Sequence, residues 1–313
     1  RRVKLMNYVG VDVSHRELVI NQASGLVRLL NEPVVLKQWA CSLGPDTVVG
    51  VEATGRYHRP LLEALSETRV ITYLLNPMKV ARYARAIKPR LKTDPSDAFM
   101  VARYVEREYD MLVPFKMPDS DIQKLKDLLS YRETVVEKRV ALKQSMSEQT
   151  FTLQSQRQLD EAFAATLQEI DATIKKLAST RPLYKRLLTI DGVGPMSASA
   201  LVWLFESHEF KSSDQAVAFV GLDVSVRQSG LYVGKSKLTK RGPSFIRAFL
   251  HCGANSLRKT KELKPLFEHH EAKKLSTTAV NLIVARKIVR IAYALATKPE
   301  AHFERKNLLP HLT

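Results

Sequence analysis

The sequence predicts an α/β domain at the N-terminus, followed by a long helical segment and a mostly helical C-terminal domain. Residues 5–115 contain short apolar runs separated by turn residues, as α/β proteins do. Residues 118–180 contain no Gly and no Pro apart from Pro118, which favours uninterrupted helices. The remaining residues combine apolar helical segments with a basic loop region. We therefore predict domains at residues 1–115, 116–180 and 181–313.

The first domain is predicted to begin with a meander of three strands. Later strands alternate with helices, and Asp94-Pro95 then opens a further helix, with Asp at the N-cap and Pro at the first helical position. This order of elements is expected of a ribonuclease H-like sheet. The predicted strands are 7–14, 18–22, 26–30, 47–53 and 69–75, and the predicted helices are 34–43, 57–67 and 77–86.

The middle segment is predicted to be a long antiparallel helical pair or coiled coil. Apolar residues recur in it at spacings of four and three, which is the helical period. Such a pair could be a simple spacer, an oligomerisation arm or a nucleic-acid clamp; an arm is the preferred interpretation. The apolar residues are Leu159, Phe163, Leu167, Ile170, Ile174 and Leu177, and the basic residues that suggest a clamp are Arg132, Lys138, Arg139 and Lys143.

The chain is strongly basic, which indicates a polyanionic partner. Its formal net charge is +17, and residues 181–313 hold 22 Lys and Arg against 10 Asp and Glu. Charge concentrated in this way favours DNA or RNA as the partner. The side chains predicted to contact nucleic acid are Lys88, Arg90, Lys92, Arg227, Lys235, Lys237, Lys240 and Arg241.

Several other classes of protein are excluded by the composition. Cys41 and Cys252 are too few and too far apart for a zinc site or a disulfide framework. No apolar run approaches the ~20 residues of a membrane span, and no signal peptide is recognised. We expect a cytosolic, nucleoid-associated protein with no membrane partner.

A glycine-rich turn precedes an apolar helix near residue 196. The segment Ile190-Asp191-Gly192-Val193-Gly194 resembles the turn of a helix-hairpin-helix, whose amides approach a phosphate closely because Gly lacks a Cβ. Equally, the glycines could serve only to allow a tight corner between two helices. The sequence leaves both interpretations open.

Four acidic residues are the strongest indication of chemistry. Asp12 and Glu52 end two apolar strands, and Asp94 and Asp97 lie three apart at the start of a predicted helix. Neighbouring parallel strands would place the first two carboxylates at one edge of the sheet. A salt bridge from Asp12 to Arg16 or Lys79 is the structural alternative, and Asp94 and Asp97 could simply favour the helix dipole.

Taken together, the four carboxylates predict a site for Mg²⁺ or Mn²⁺. Carboxylates at strand ends are costly unless they are neutralised, and Mg²⁺ prefers oxygen ligands while keeping several waters. One or two such ions can polarise a phosphate and activate an attacking hydroxyl. An acidic cluster within a basic protein therefore predicts a metal-dependent enzyme acting on nucleic-acid phosphates.

The motifs that contain these acids resemble those of the DEDD transposases of insertion sequences, a family that includes Piv-type DNA invertases. The resemblance extends over nearly the whole chain, and the combination of Lys-Thr-Asp-x-x-Asp-Ala with Thr-Lys-Arg-Gly is specific. The matching segments are 9–12, 51–55, 92–98, 192–195, 219–222, 229–230, 239–242 and 285–287.

The resemblance implies a RuvC-like domain in which Asp12, Glu52, Asp94 and Asp97 bind the metal, and a C-terminal transposase domain with Ser229 as nucleophile. It also implies a recombinase guided by a structured bridge RNA that pairs with target and donor DNA. Such proteins act as dimers of dimers, a tetramer whose composite sites join the acids of one subunit to the serine of another.

The chain departs from the family pattern close to the serine that the resemblance implies as nucleophile. Family members often have Pro shortly after Gly-Leu, where this chain has Asp223-Val224-Ser225, so Ser225 is a rival. Ser229 precedes Gly230 in a basic loop, which suits a hydroxyl that must approach a phosphate.

Three functions remain to be distinguished. The preferred one is a guided DNA recombinase that uses Mg²⁺ and a serine nucleophile. A RuvC-like junction endonuclease would use water in place of serine, and a non-catalytic nucleic-acid-binding protein would keep the acids for structure alone. A covalent protein–DNA adduct separates the first from the second, and metal-dependent strand cleavage separates both from the third.

Overall fold

The computed structural model describes residues 6–53, 55, 57–87, 94–147, 153–225, 228–229, 232–233 and 237–309. The chain forms two compact units, Arg1–Met117 and Pro118–Thr313. The boundary lies close to the predicted end of the first domain. The second unit contains both the predicted helical segment and the predicted C-terminal domain, which the structure does not separate.

In its described residues, the first unit consists of a five-stranded sheet, four α-helices and a short 3₁₀ helix, Tyr109–Met111. Its strands are β1 (Asn7–Val13), β2 (Glu17–Gln22), β3 (Gly25–Leu30), β4 (Thr47–Glu52) and β5 (Ile71–Leu75). Its helices are α1 (Pro33–Ser42), α2 (Arg59–Ser66), α3 (Pro77–Ile87) and α4 (Asp94–Glu108). Each predicted strand and helix of this unit is confirmed to within a few residues.

The strand order is β3-β2-β1-β4-β5. The first three strands pair antiparallel, as tight turns allow, whereas β4 and β5 add in parallel through helical crossovers. Both faces of β1 and β4 are covered, which explains why their sequences are nearly continuous apolar runs. The result is a mixed α/β unit consistent with the predicted ribonuclease H-like sheet.

Two apolar cores lie on opposite faces of this sheet. One side of β1 and β4 packs against α1 and α2, and includes Val9, Val11 and Leu36. The other side packs against α3 and α4, and includes Val48, Val101 and Val105. Because successive side chains of a strand point to opposite faces, residues 8, 10 and 12 lie on the α4 face of β1, and 48, 50 and 52 on that of β4.

The second unit is mostly helical. Its helices are α5 (Ser120–Ser147), α6 (Gln154–Ser179), α7 (Pro182–Leu187), α8 (Pro195–Ser207), α9 (Ser213–Phe219), α10 (Ser244–Leu257), α11 (Lys264–Glu271) and α12 (Thr277–Thr297). Four two-residue strands lie between α9 and α10: β6 (Val224–Ser225), β7 (Gln228–Ser229), β8 (Tyr232–Val233) and β9 (Lys237–Leu238). Its core includes most of α8, which is buried on nearly every side.

The long helices α5 and α6 form the predicted antiparallel pair. Ion pairs join them at two levels, from Arg132 to Asp171 at 2.5 Å and from Arg139 to Asp160 at 2.7 Å. The hydrogen bond from Arg139 lowers the pKa of Asp160 to about 2. Three of the four cations that suggested a nucleic-acid clamp, Arg132, Arg139 and Lys143, therefore pair with acids of the facing helix.

Much of the apolar stripe on α6 is used inside the second unit. Ile170 and Ile174 belong to its buried core, Phe163 and Leu167 are partly buried against it, and Leu159 is exposed. The end of the stripe near Leu159 remains at the surface, as do Tyr131 and Val140 on α5. The predicted oligomerisation arm would use these exposed side chains rather than the buried part of the stripe.

No described helix combines the length and the apolar character that crossing a membrane requires.

Candidate active site

Two strands carry the same short pattern, a glycine followed two residues later by an acid: Gly10 and Asp12 in β1, and Gly50 and Glu52 in β4. β1 and β4 are parallel neighbours whose register pairs Gly10 with Gly50 and Val11 with Val51. The next step of this register places Asp12 beside Glu52. Since the residues two apart on a strand share a face, both carboxylates lie on the same side of the sheet as the glycines.

Both glycines lie under α4, which identifies the face that carries the acids. A Cβ at Gly10 would lie 2.1 Å from the carbonyl oxygen of Ala98, and a Cβ at Gly50 would lie 2.5 Å from Cγ2 of Val105. Any side chain at these positions would push the helix away from the sheet. The glycines therefore let α4 approach the backbone of β1 and β4 directly.

The remaining predicted acids begin this same helix. Asp97 directly precedes Ala98, the residue in closest contact with Gly10, and Asp94 is the first residue of α4. The first turn of α4 thus lies over the sheet face that carries Asp12 and Glu52. All three described carboxylates, at positions 12, 52 and 97, are half-buried.

Among the described residues, no group of three or more His, Cys, Asp or Glu side chains could hold a metal ion. Asp12, Glu52 and Asp97 are among these residues, whereas the side chain of Asp94 lies outside them. Asp12 and Glu52 each have an interaction partner. An all-oxygen set of carboxylates is the chemistry that Mg²⁺ selects, so the residue types fit such an ion.

The two candidate serines lie in a pair of nested ladders in the second unit. Ser225 in β6 pairs with Lys237 in β9, which forms the inner ladder. Ser229 in β7 pairs with Tyr232 in β8, which forms the outer ladder, next to the residues that connect β7 with β8. The backbone therefore places Ser229 toward the tip of this extension and Ser225 toward its base.

The base of the extension is fixed by two glycines, each of which lies against the backbone of the facing segment. Gly221 and Gly242 have φ of 71° and 83°. A Cβ at Gly221 would lie 2.0 Å from the carbonyl oxygen of Arg241, and one at Gly242 would lie 1.9 Å from that of Phe219. Only glycine permits both the positive φ and this contact.

Side chains reinforce the same base. The Arg247 guanidinium donates to the carbonyl oxygens of Val220 and Gly242, each at 3.0 Å, and more weakly to two others. The Thr239 hydroxyl donates to the Asp223 carboxylate. Asp223, which begins the segment that departs from the family pattern, thus has a hydrogen-bond partner in the fold.

The sequence analysis missed Gly10, Gly50 and Arg247. The two glycines carried a signal, because Gly10-Val11-Asp12 and Gly50-Val51-Glu52 repeat the same spacing. Arg247 carried none, since its acceptors are backbone carbonyls brought together by folding.

Most of the predicted nucleic-acid contacts cannot be placed. Lys240 and Arg241 are described and exposed, next to the Gly242 crossing. For Lys237 only the backbone is described, as part of β9. Five predictions lie outside the described residues: Lys88, Arg90, Lys92, Arg227 and Lys235.

Comparison with known families matches both units. A transposase profile, DEDD_Tnp_IS110, matches residues 4–153. A second profile, described as a transposase of the IS116/IS110/IS902 family, matches residues 184–268. The first match contains all four acids and the second contains both candidate serines.

Individual proteins match over most of their length. The chain is 26% identical over 258 residues to the pilin gene-inverting protein of Moraxella bovis, covering 78% of each chain. It is 27% identical over 258 residues to that of Moraxella lacunata, with the same coverage. It is 24% identical over 300 residues to a putative transposase, y4pF/y4sB, of Sinorhizobium fredii, covering 82% of this chain and 75% of the relative.

Proposed function

Because this chain belongs to the DEDD transposase family of IS110-type insertion sequences, we propose that it is a Mg²⁺-dependent serine recombinase guided by a bridge RNA. Its membership supports DNA transposition or recombination as the activity. The dependence on Mg²⁺, the serine nucleophile and the bridge RNA go beyond family membership and are what we propose. The observation that carries it is the register of β1 and β4, which places Asp12 beside Glu52 beneath the first turn of α4.

In this proposal Asp12, Glu52, Asp94 and Asp97 hold Mg²⁺, or Mn²⁺ in its place. When bound, the metal would polarise a phosphate oxygen and stabilise charge on the departing oxygen. The strands and α4 supply the carboxylates from rigid elements, and the Gly10 and Gly50 contacts fix the helix against the sheet. Half-burial of Asp12, Glu52 and Asp97 limits the water that competes for them.

The Ser229 hydroxyl is the proposed nucleophile. Its oxygen forms a bond to phosphorus as one phosphorus–oxygen bond of the DNA strand breaks, and the serine proton is transferred to the departing oxygen, so that the cut end leaves as a free hydroxyl. The energy of the broken bond is retained in a phosphoserine ester. The hydroxyl of a new strand can attack the phosphorus of this ester, which rejoins the DNA and releases the serine hydroxyl. Placement near the tip of the β7–β8 ladder, on a base held by Gly221, Gly242 and Arg247, supports this role.

The guide RNA and the oligomer follow from the family resemblance. A bridge RNA that pairs with target and donor DNA would supply the sequence specificity, and the basic second unit would supply phosphate contacts. A dimer of dimers would provide the several active sites that exchange of two duplexes needs. The relatives named for inverting a pilin gene and for transposition agree with an activity that rearranges DNA.

A hydrolytic endonuclease is the second candidate, and one observation favours it. All four acids belong to the first unit, which has its own apolar cores. Such a unit could direct water at a phosphate. A covalent adduct between protein and DNA would exclude this candidate as the main activity.

The metal site is tested by replacing Asp12 or Glu52 with the neutral amide. Asp12→Asn and Glu52→Gln should abolish recombination and also remove the Mn²⁺-induced shift in melting temperature, while leaving folding and DNA binding intact. Glu63→Gln, which changes an exposed acid on α2, is the matched control. If Asp12→Asn recombines as the wild type does, the proposed metal site is wrong.

The guide is tested by sequencing RNA that copurifies with the protein from cells carrying the complete element. RNA from the element's own flanking region should be enriched, and its removal by nuclease should stop recombination. Recombination that survives complete RNA removal would contradict the guided mechanism while leaving the metal site unaffected.

A further inference from the structure

An open groove of about 680 Å³ lies at the N-terminus of α8, in the second unit. Its walls are formed by the Gly192–Ser197 turn, by Asp171 and Lys175 of α6, and by Phe249 and Cys252 of α10. The proposed recombination chemistry uses none of these residues. The groove contains the turn for which the sequence left two interpretations open.

Gly192 and Gly194, the two glycines of this turn, differ in backbone conformation and in what surrounds them. Gly192 has φ of 82°, and its carbonyl oxygen would lie 2.0 Å from a Cβ at Gly253 of α10. The tight-corner interpretation therefore accounts for Gly192. It does not account for Gly194, whose φ is −86° and whose added Cβ would meet no atom within 4 Å.

Gly194 is the N-cap of α8 and offers its helix no side-chain hydrogen bond. The amides of Met196 and Ser197 come too early in the helix to find an acceptor within it, and no backbone acceptor is recorded for them among the described residues. A helix of 13 residues directs partial positive charge at this point. The helix terminus is thus open to an anion at a position where folding would favour Ser, Asp or Asn.

Ser197 gives independent support for a ligand. Its side chain lines the groove and is only 7% exposed. Within the described parts of the chain its hydroxyl makes no hydrogen bond to another residue, and Ser197 borders the groove with the small surface that it exposes. A phosphate oxygen at the helix terminus would supply a hydrogen-bond partner.

The charges around the groove suit a phosphate as well. Asp171 is ion-paired with Arg132 at 2.5 Å, so its charge is compensated. Lys175, one turn further along α6, is exposed and forms no ion pair with a described residue. The groove therefore offers two amides, one hydroxyl and one free ammonium to a single anion.

We infer that the N-terminus of α8 binds a phosphodiester of a DNA duplex, through the amides of Met196 and Ser197, the Ser197 hydroxyl and Lys175. The absence of a Cβ at Gly194 leaves room for the phosphate. This contact positions DNA and reads no sequence. It depends on the proposed function only in taking DNA as the partner, and it requires neither the metal nor Ser229.

The decisive variant is Gly194→Asp, because its effects on folding and on DNA binding have opposite signs. Asp is a preferred N-cap and complements the helix dipole, so the melting temperature should stay the same or rise. The new carboxylate would occupy the phosphate position. Affinity for a mixed-sequence DNA duplex should fall roughly tenfold, and the slope of log affinity against log salt should decrease by about one.

The matched control is Ser276→Asp, which makes the same change of charge at the N-cap of α12. It should leave the salt slope unchanged. Ser197→Ala and Lys175→Gln should each weaken DNA binding without lowering the melting temperature, since one removes an unpartnered hydroxyl and the other an exposed charge.

Equal salt slopes and affinities for Gly194→Asp and Ser276→Asp would overturn the inference. A second result would also overturn it: inorganic phosphate raises the melting temperature of the wild type but not of Gly194→Asp, while the two proteins bind DNA equally well. The groove would then bind a free anion and not DNA. A defect confined to an RNA duplex would likewise reject DNA as the ligand. None of these results bears on the metal site or on Ser229.

Discussion

Gly10 and Gly50 are paired in register on parallel strands, and α4 packs against both of them. Neither residue has a side chain to offer, yet together they determine how closely the first turn of α4 approaches Asp12 and Glu52. The geometry of the face that carries Asp12 and Glu52 thus depends on Gly10 and Gly50, where an additional methyl group would clash with α4.

The first prediction follows from this contact. Gly10→Ala should destabilise the first unit by about 1–3 kcal/mol or more, because overpacking forces the backbone of α4 to move. Recombination should be lost together with the Mn²⁺-induced shift in melting temperature. Gly44→Ala is the control, since a Cβ there would meet no atom within 4 Å. Denaturant unfolding gives the comparison, and equal stability of the two variants would contradict the close packing.

The second prediction distinguishes the two serines. Ser229→Ala should eliminate a covalent protein–DNA adduct, which would migrate as a slower band on a denaturing gel, because the attacking oxygen is removed. Ser225→Ala should retain that band, since Ser225 lies in the inner ladder. Complex assembly should be unchanged in both variants. Loss of the band in Ser225→Ala alone would transfer the role of nucleophile to that residue.

The third prediction concerns Arg247. Arg247→Met should destabilise the second unit by about 1–3 kcal/mol, because several carbonyl oxygens lose a charged donor. Hydrogen exchange should accelerate at the amides of Thr239 and Lys240, which cross-link the base of the extension. Arg290→Met removes an exposed ion pair to Asp214 and should cost less than about 1 kcal/mol. Unchanged exchange in Arg247→Met would show that the glycines alone hold the base.

The fourth prediction concerns assembly through the helical pair. Leu159→Glu should lower the mass of the nucleic-acid complex measured by light scattering while leaving the protein's melting temperature unchanged, because Leu159 is exposed. Leu275→Glu, at another exposed leucine, should leave the mass unchanged. By contrast, Ile174→Glu should unfold the second unit, since Ile174 is fully buried. A full-mass complex formed by Leu159→Glu would exclude this part of the pair as an interface.

The fifth prediction is a pH dependence that originates at His208. Burial among Trp203, Phe210 and Phe219 lowers the pKa of His208 from 6.5 to about 4, with the charge of Lys126 acting in the same direction and the Leu204 carbonyl opposing it. Below pH 6.5 the unfolded chain therefore binds a proton that the folded chain does not. The free energy of unfolding should be highest above this pH and should fall by up to roughly 3 kcal/mol toward pH 4.

His208→Phe is the test of this assignment. It removes the titrating group from an aromatic cluster, so the fall in stability between about pH 7 and about pH 5 should become smaller than in the wild type. An identical fall in both proteins would assign the pH dependence to other groups.

The secondary structure of the first unit could be predicted from the sequence because its signals are local. Apolar runs bounded by turn residues gave the five strands, and the Asp94-Pro95 pair gave the start of α4. The order of elements then indicated a ribonuclease H-like sheet. The same reasoning identified Asp12 and Glu52 as strand-end acids before their register was known.

The role of the helical pair was harder to predict, because a periodic stripe does not reveal its partner. Ile170 and Ile174 matched an interface pattern equally well whether that interface lay within the chain or between chains. The structure places them in the core of the second unit, and it pairs Arg132 and Arg139 with acids of the facing helix. Burial and ion pairing between residues far apart in sequence cannot be read from spacing alone.

The sequence by itself determined the types of element, the basic character of the chain and the residues able to bind a metal or attack a phosphate, since these depend on side-chain chemistry and local periodicity. Only the tertiary structure decided that Gly10 and Gly50 lie side by side under α4, that Gly221 and Gly242 each lie against the backbone of a facing segment, and that Gly192 packs against Gly253 whereas Gly194 packs against nothing. Most of these are close approaches of a glycine to a neighbouring segment. A glycine has no side chain from which its neighbour can be inferred, so such contacts become known only when the chain is folded.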